Sequence, residues 1–342
     1  MLFSTTQMQI FLRRNAVIRF TLAVIILACT YWIVTNVLLK KTEQSQSPQS
    51  VQKETQQSRY CACKHCLSQP NISQWFDSHF NPAIHPLLSK KNVNLSAEIL
   101  KYWNKLQPYY VPPPFLTVME KLFQLFPGEE QYMDRGPSRC RSCAVVGNSN
   151  NLLGSSYGPQ IDDHDFVMRI NEAKTAGYEH DVGSRTTHQF IYPESAIDLG
   201  TNTSLVLIPF KTRDFEWLIS VVTDGSIKAT YRRVPARIQF NKKKVLFYNP
   251  AFMKYVQERW TKTPKCPSTG ILVLVFALHV CDEVSVYGYG ADGKGLWKHY
   301  WEEVAGSMHL SKHSGNTEYR ILEMLHDAGK IKLSKGNISK PK

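Results

Sequence analysis

The chain has 342 residues, of which 43% are hydrophobic and 20% charged, and a formal net charge of +13. That composition describes a globular protein with a proper core, as one large domain or two small ones. The basic charge suits an anionic substrate or an acidic glycan surface, while the lack of zinc-finger spacing, an RNP-like aromatic motif or a basic helix leaves nucleic acid without support.

Residues 1–19 carry Arg13, Arg14 and Arg19 and read as a cytosolic tail. Phe20 to Leu39 is uncharged, mostly apolar and of about the length that crosses a bilayer, so residues 20–39 read as a transmembrane signal anchor. Lys40 and Lys41 follow, outweighed by the arginines, which keeps the N-terminus in the cytosol. The run is long for the core of a signal peptide, and no small-x-small cleavage site ends it. A type II single-pass anchor with the bulk of the chain in the secretory lumen follows. Residues 40–60, rich in Gln, Ser, Lys and Glu, lack the apolar content for a core and read as a solvated stem.

Residues 61–342 have globular composition and read as a lumenal domain. Asn71 to Gln107 is expected to be helical, with Trp75, Phe76, Phe80, Trp103 and Leu106 among its apolar anchors. Phe115 to Phe126 is a second amphipathic helix, ended by Pro127-Gly128. Strands are then expected at Ala144–Val146, Phe166–Asn171, His188–Tyr192, Leu205–Phe210, Lys244–Tyr248 and Glu283–Tyr287. Helices are expected at Phe215–Val222, Pro250–Trp260, Ser268–Cys281 and Thr317–Ala328. This alternation implies an α/β domain with a mainly parallel central sheet, whose ligands sit at the carboxyl ends of the strands. Gly147-Asn148-Ser149, Asn171 and Gly288-Tyr289-Gly290 would occupy such ends. Ser268 or Thr269 caps a buried helix, and its start, with Gly270, is a natural seat for an anion such as a phosphate.

Four sequons lie beyond the anchor, at Asn71, Asn94, Asn202 and Asn337. Of eight cysteines, Cys29 lies in the membrane run and seven lie beyond it. Cys61, Cys63, His65, Cys66, Cys140 and Cys143 would suit zinc in a reducing compartment. In an oxidising lumen disulfides are the better reading, and spacing does not choose among the connectivities.

Four stretches together resemble the motifs of animal sialyltransferases. Cys140 to Ser149, through Asp162 to Asn171 and on to Asp181–His188, is similar to the large sialyl motif. Pro267 to Gly290 is similar to the small motif, His299-Tyr300-Trp301-Glu302 to the third, and His313 with Glu318 to the very small motif. They stand in the family's order. Within the family, the cysteine cluster at Cys61, Gln107, Tyr192-Pro193-Glu194 and Pro209-Phe210-Lys211 resemble the branch that is β-galactoside α-2,3-sialyltransferase, acting on Galβ1-3GalNAc of O-glycans.

The resemblance implies a single-domain variant of the nucleotide-sugar glycosyltransferase fold, GT-A-like and Rossmann-type. It implies transfer of sialic acid from CMP-sialic acid to the 3-hydroxyl of terminal galactose, on glycoprotein or glycolipid, with inversion and with no metal or other cofactor. It assigns His313 as the base, a role that suits a histidine's near-neutral pKa. It places His299 on the departing phosphate, with Tyr231 as a further phosphate donor and Ser268, Thr269 and Gly270 adding backbone donors. Asn148, Ser149, Asn171 and Gly290 would hold the nucleotide sugar, and Gln107 the acceptor galactose. Glu318 would organise its loop. The implied disulfides are Cys61–Cys66, Cys63–Cys140 and Cys143–Cys281. Cys266 stays outside them, where close relatives carry an aromatic residue beside the acceptor. A Golgi membrane location is implied as well.

Two other readings stand beside this one. Asp163-His164-Asp165, with Asp162 adjacent, fits the Asp-x-Asp pattern that holds a divalent cation in metal-dependent UDP-sugar transferases; turn capping is the plainer role. A catalytically silent glycan-binding relative is the third reading. Only Cys266 invites it, since a binding module needs neither His299 nor His313.

Overall fold

The computed structural model describes residues 19, 21–35, 60–106, 113–291, 298–303 and 315–336. The chain divides into two compact units, Met1–Gln56 and Gln57–Lys342. In the first, residues 21–35 form helix α1, with Leu22, Ile26, Leu27 and Trp32 exposed. Phe20 and residues 36–39 of the expected span lie outside the described residues. Among the described residues, no helix is long and apolar enough to cross a membrane.

The second unit is built on one eight-stranded sheet. Its strands are β1 (Leu87–Leu88), β2 (Ser142–Val146), β3 (Phe166–Ile170), β4 (His188–Ile191), β5 (Ser204–Leu207), β6 (Val245–Tyr248), β7 (Glu283–Tyr287) and β8 (Lys332–Ser334). The order is β1-β6-β5-β4-β3-β2-β7-β8. Only β1 runs antiparallel; every other pairing is parallel. The inner strands are mostly apolar and buried residue after residue, the signature of a sheet covered on both faces.

The helices are α2 (Gln74–His79), α3 (Ala97–Asn104), α4 (Phe115–Leu125), α5 (Gly158–Asp162), α6 (Glu179–Val182), α7 (Thr212–Val222), α8 (Pro250–Tyr255), α9 (Thr269–Val280) and α10 (Gly315–Asp327). Helix α8 continues as a π-helical turn, Val256–Thr261. Helix α9 is apolar all round and buried from Ile271 to Val280, as a helix packed on every side must be.

The expectation of a helix from Asn71 to Gln107 is corrected: α2 and α3 are separated by loop and by the edge strand β1. Pro82 and Pro86 fall between them. Each lacks an N–H and disfavours helix at the residue before it, so the apolar spacing could not continue as one helix.

Three disulfides close the unit: Cys61–Cys66, Cys63–Cys140 and Cys143–Cys281. The last ties β2 to the end of α9 at a Cα separation of 6.1 Å. Beside it, Arg139 Nε and Nη2 each donate to the Asp282 carboxylate at 2.7 Å. Asp282 is almost fully buried and also accepts from Arg141 N. The beginnings of β2 and β7 are therefore held covalently and ionically, and their far ends open toward a cavity.

Candidate active site

Strands β2 through β6 step outward in one direction, whereas β7 lies on the other side of β2. Successive connections thus diverge between β2 and β7, which opens a crevice beyond their carboxyl ends. A cavity of about 430 Å³ lies there, lined by the turns that follow β2, β3 and β7 and by the first turns of α9 and α10. The two glycines that follow the strands touch: a Cβ on Gly147 would collide with the Gly288 carbonyl oxygen. Their lack of side chains lets both turns reach the cavity together.

Asn148 and Asn171 stand on neighbouring turns of this rim. Asn148 Nδ2 donates to Ile170 O at 2.9 Å, which joins the turn after β2 to the end of β3. Asn171 has φ of 59°, a left-handed conformation that Asn tolerates better than most residues. Its N–H donates to Phe190 O and its carbonyl accepts from Gln189 Nε2. Among the described residues, neither Asn148 Oδ1 nor Asn171 Oδ1 has a hydrogen-bond partner, although both atoms are buried. Buried amide oxygens require donors, and these two line a cavity where a ligand's hydroxyl or amino groups would supply them. Ser149 is turned inward instead: its Oγ donates to Gly290 O at 2.7 Å. Gly290 has φ of +92°, and a Cβ there would stand 2.6 Å from Tyr319 Cε2.

The opposite wall is the start of α9. Ser268 is its N-cap, with Oγ accepting from Ile271 N at 3.2 Å. The N–H groups of the first turn have no intrahelical acceptor and carry the positive end of the helix dipole. Tyr289 OH donates to Gly270 O, so the turn after β7 braces this helix start. Glu318, in the first turn of α10, accepts from both Ser268 N and Ser268 Oγ. It is buried against the N-cap and serves as a strut between two helix starts.

His299 reaches the cavity on a segment that pairs with the turn after β2. It forms an antiparallel bridge with Ser149, while Asn150 N donates to Lys298 O and Tyr300 N to Asn148 O. The His299 ring stacks on Trp301 with centroids 4.6 Å apart, and its Nδ1 lies 2.8 Å from Glu302 Oε1. Burial works against the Glu302 charge, but the His299 N–H and ring outweigh it and hold that carboxyl below its usual range. An ionised carboxylate only accepts, so Nδ1 carries the hydrogen. Nε2 then accepts in the neutral ring and donates in the cation.

Of the other expected site residues, Tyr231, Ser268, Thr269 and Gly270 line the cavity. Cys266 does not line it; the residue is half-buried, and burial, with Glu318 nearby, pushes its thiol up to about 12. His313, Gln107 and Asn337 lie outside the described residues. Asn71, Asn94 and Asn202 are exposed. Tyr289, expected at a strand end, lines the cavity too, as do Tyr192, Arg232 and Lys298, which the sequence alone does not mark as contacts. The two cations sit directly beside Tyr231 and His299 in the chain, which was the available signal.

The Asp-x-Asp stretch lies elsewhere. Asp165 accepts from Ser142 N and Oγ at the start of β2, and Asp162 from Ser184 N, Ser184 Oγ and Arg185 N. Both carboxylates cap turns at the amino ends of strands, across the sheet from the cavity. Among the described residues, no cluster of three or more His, Cys, Asp or Glu side chains could hold a metal ion.

The model of glycosyltransferase family 29 (sialyltransferase) matches residues 87–330. The chain is 50% identical over 283 residues to mouse CMP-N-acetylneuraminate-beta-galactosamide-alpha-2,3-sialyltransferase 2, covering 82% of this chain and 81% of that protein. It is 46% identical to the human sialyltransferase 1 of the same description, covering 81% of this chain and 83% of that one. The crystal structure of a mammalian sialyltransferase superposes with a TM-score of 0.77 at 47% identity, covering 82% of this chain and all of that one. A second such structure, in complex with Gal-beta-1-3GalNAc-ortho-nitrophenol, gives 0.76 at 47% identity over 81% of this chain and 100% of that one.

Proposed function

The chain belongs to glycosyltransferase family 29, the sialyltransferases, and from that premise we propose that it moves sialic acid from CMP-sialic acid to the 3-hydroxyl of galactose in Galβ1-3GalNAc. It is a glycosyltransferase; the linkage and acceptor follow the names of relatives at 46–50% identity and the bound disaccharide of the related crystal structure. The observation that carries the reading is the crevice between β2 and β7. There two buried amide oxygens, a helix N-terminus and a carboxylate-oriented histidine surround one cavity.

In this reading the phosphate of the donor meets the first turn of α9, His299 Nε2 and the Tyr231 hydroxyl. Asn148 and Asn171 accept hydrogen bonds from the nucleotide sugar. As the bond from phosphate oxygen to the anomeric carbon breaks, charge grows on the phosphate, and fixed donors there lower the barrier. His313 takes the proton of the galactose 3-hydroxyl as that oxygen attacks the opposite face, which inverts the anomeric carbon. No metal takes part. We assign the chain to the Golgi membrane as a type II protein anchored by residues 20–39, on the apolar run and the arginines before it. Protease protection of the body in sealed microsomes supports that topology; digestion without detergent overturns it.

The test is an assay of the full-length chain with CMP-sialic acid and Galβ1-3GalNAc, with and without EDTA. A product that forms despite chelator and is cleaved by a 2,3-selective sialidase supports the proposal. Chelator-sensitive transfer from a UDP-sugar overturns it in favour of a metal-dependent enzyme. CMP binding with no product on any galactose-terminated acceptor overturns it in favour of a silent glycan-binding relative.

A further inference from the structure

Beside the cavity lies a charged cluster that the reaction scheme does not use. Lys211 Nζ is 2.8 Å from Asp214 Oδ1 and 3.7 Å from Glu194 Oε1, and the three side chains are only 7%, 0% and 6% exposed. Lys211 stands immediately before α7, which follows β5, while Glu194 lies in the turn after β4. Burial raises the carboxyls of both Glu194 and Asp214, against the opposing pull of Lys211. Removing three ionisable groups from water is costly, and such a cluster is a weak stabiliser compared with apolar packing.

What it touches on the other side is Tyr231. The Lys211 ammonium lies 5.1 Å from the centroid of the Tyr231 ring, and that same ammonium is the one paired with Glu194 and Asp214. Tyr231 sits at the tip of a tight turn closed by Thr230 N to Arg232 O, Val234 N to Lys228 O and a bridge between Ala229 and Arg233. That tip is half exposed and lines the cavity, with Arg232 the other cation at its ring. A lone exposed turn has little to hold its angle. Here one buried cation supports the face of the ring, and two buried carboxylates hold that cation in place.

We propose that Glu194 and Lys211, held by Asp214, are positioning residues that set the Tyr231 hydroxyl against the donor. This rests on the reading of Tyr231 as a donor contact. The experiment is a thermodynamic cycle on the full-length chain, with CMP affinity by calorimetry and CMP-sialic acid KM and kcat measured together. Glu194→Ala weakens CMP binding about tenfold in the native background and leaves it unchanged when Tyr231→Phe is already present. Glu194→Gln, which keeps an oxygen toward the Lys211 ammonium, restores most of the affinity, and acceptor KM stays constant throughout. If Glu194→Ala does not fold, Lys211→Met, which retains the apolar stem, runs the same cycle. A Tyr231→Phe variant with native CMP affinity overturns the donor reading itself. A Tyr231→Phe loss with no Glu194 or Lys211 effect, or an effect equally large in both backgrounds, overturns the positioning role alone.

Discussion

Ser268 and Glu318, separated by fifty positions, are joined through both oxygens of one carboxylate: Ser268 N donates to Oε1 at 2.8 Å, and Ser268 Oγ donates to Oε2. The same Ser268 Oγ caps α9. Glu318 therefore stabilises the N-cap that faces the cavity and the first turn of its own helix, where a negative charge is favourable. Glu318→Ala leaves two donors without their acceptor and costs about 3 kcal/mol. The expected result is a lower thermal midpoint with weakened CMP binding. Glu318→Gln keeps one acceptor and loses less of both. A native midpoint in Glu318→Ala would remove the strut.

His313→Ala abolishes transfer while CMP affinity stays native, because the proposed base acts on the acceptor hydroxyl. His299→Ala is expected to lower both, because its ring is proposed to meet the donor phosphate. Turnover and calorimetry on the two variants separate the roles, and near-native turnover in His313→Ala would discard the base assignment.

The Cys143–Cys281 bridge joins β2 to the end of α9 across 138 positions. Loss of a native disulfide of this kind costs about 2–5 kcal/mol. Cys143→Ser is expected to lower the thermal midpoint and the steady-state expression of the chain. Unchanged expression and an unchanged thermal midpoint would show that the Arg139–Asp282 pair carries the junction alone.

Cys266→Tyr is expected to lower the acceptor KM by restoring the aromatic residue that the family resemblance leads one to expect there. The donor KM should stay constant. An unchanged or raised acceptor KM removes that account of the position.

His188 is buried, with Tyr132 OH 2.6 Å from Nε2 and Thr187 Oγ1 2.8 Å from Nδ1. Burial, with Arg141 and Lys244 adding repulsion, lowers its pKa from 6.5 to about 3. The unfolded chain thus binds this proton more readily than the folded one. Stability is full above pH 6.5 and falls as pH drops toward 3, by up to about 1.4 kcal/mol per pH unit from this group. Urea unfolding across that window shows the slope, and His188→Gln is expected to flatten it.

Much of the fold was legible because burial leaves a local record. The inner strands read as short apolar runs, and α9 reads as a long one, because both faces of a parallel sheet must be covered. Asn148, Asn171 and Ser268 were legible from their places just after a strand or before a helix. The edge strands β1 and β8 were not, since two or three residues carry no periodicity. The break between α2 and α3 follows Pro82 and Pro86, but the apolar spacing runs on across both prolines and masks it.

The sequence by itself determined which segments bury their side chains, where turns interrupt them and which polar residues stand at their ends. Those are properties of neighbours along the chain, written in residue type and spacing. Only the tertiary structure decided that β7 lies beside β2, that Gly147 meets Gly288, that His299 pairs with Ser149 and that Glu318 grips Ser268. It also decided that Asp165 faces the far end of the sheet from the cavity. Strand order and helix docking are set by contacts between distant segments, whose energies depend on the shape of the whole core rather than on any local pattern.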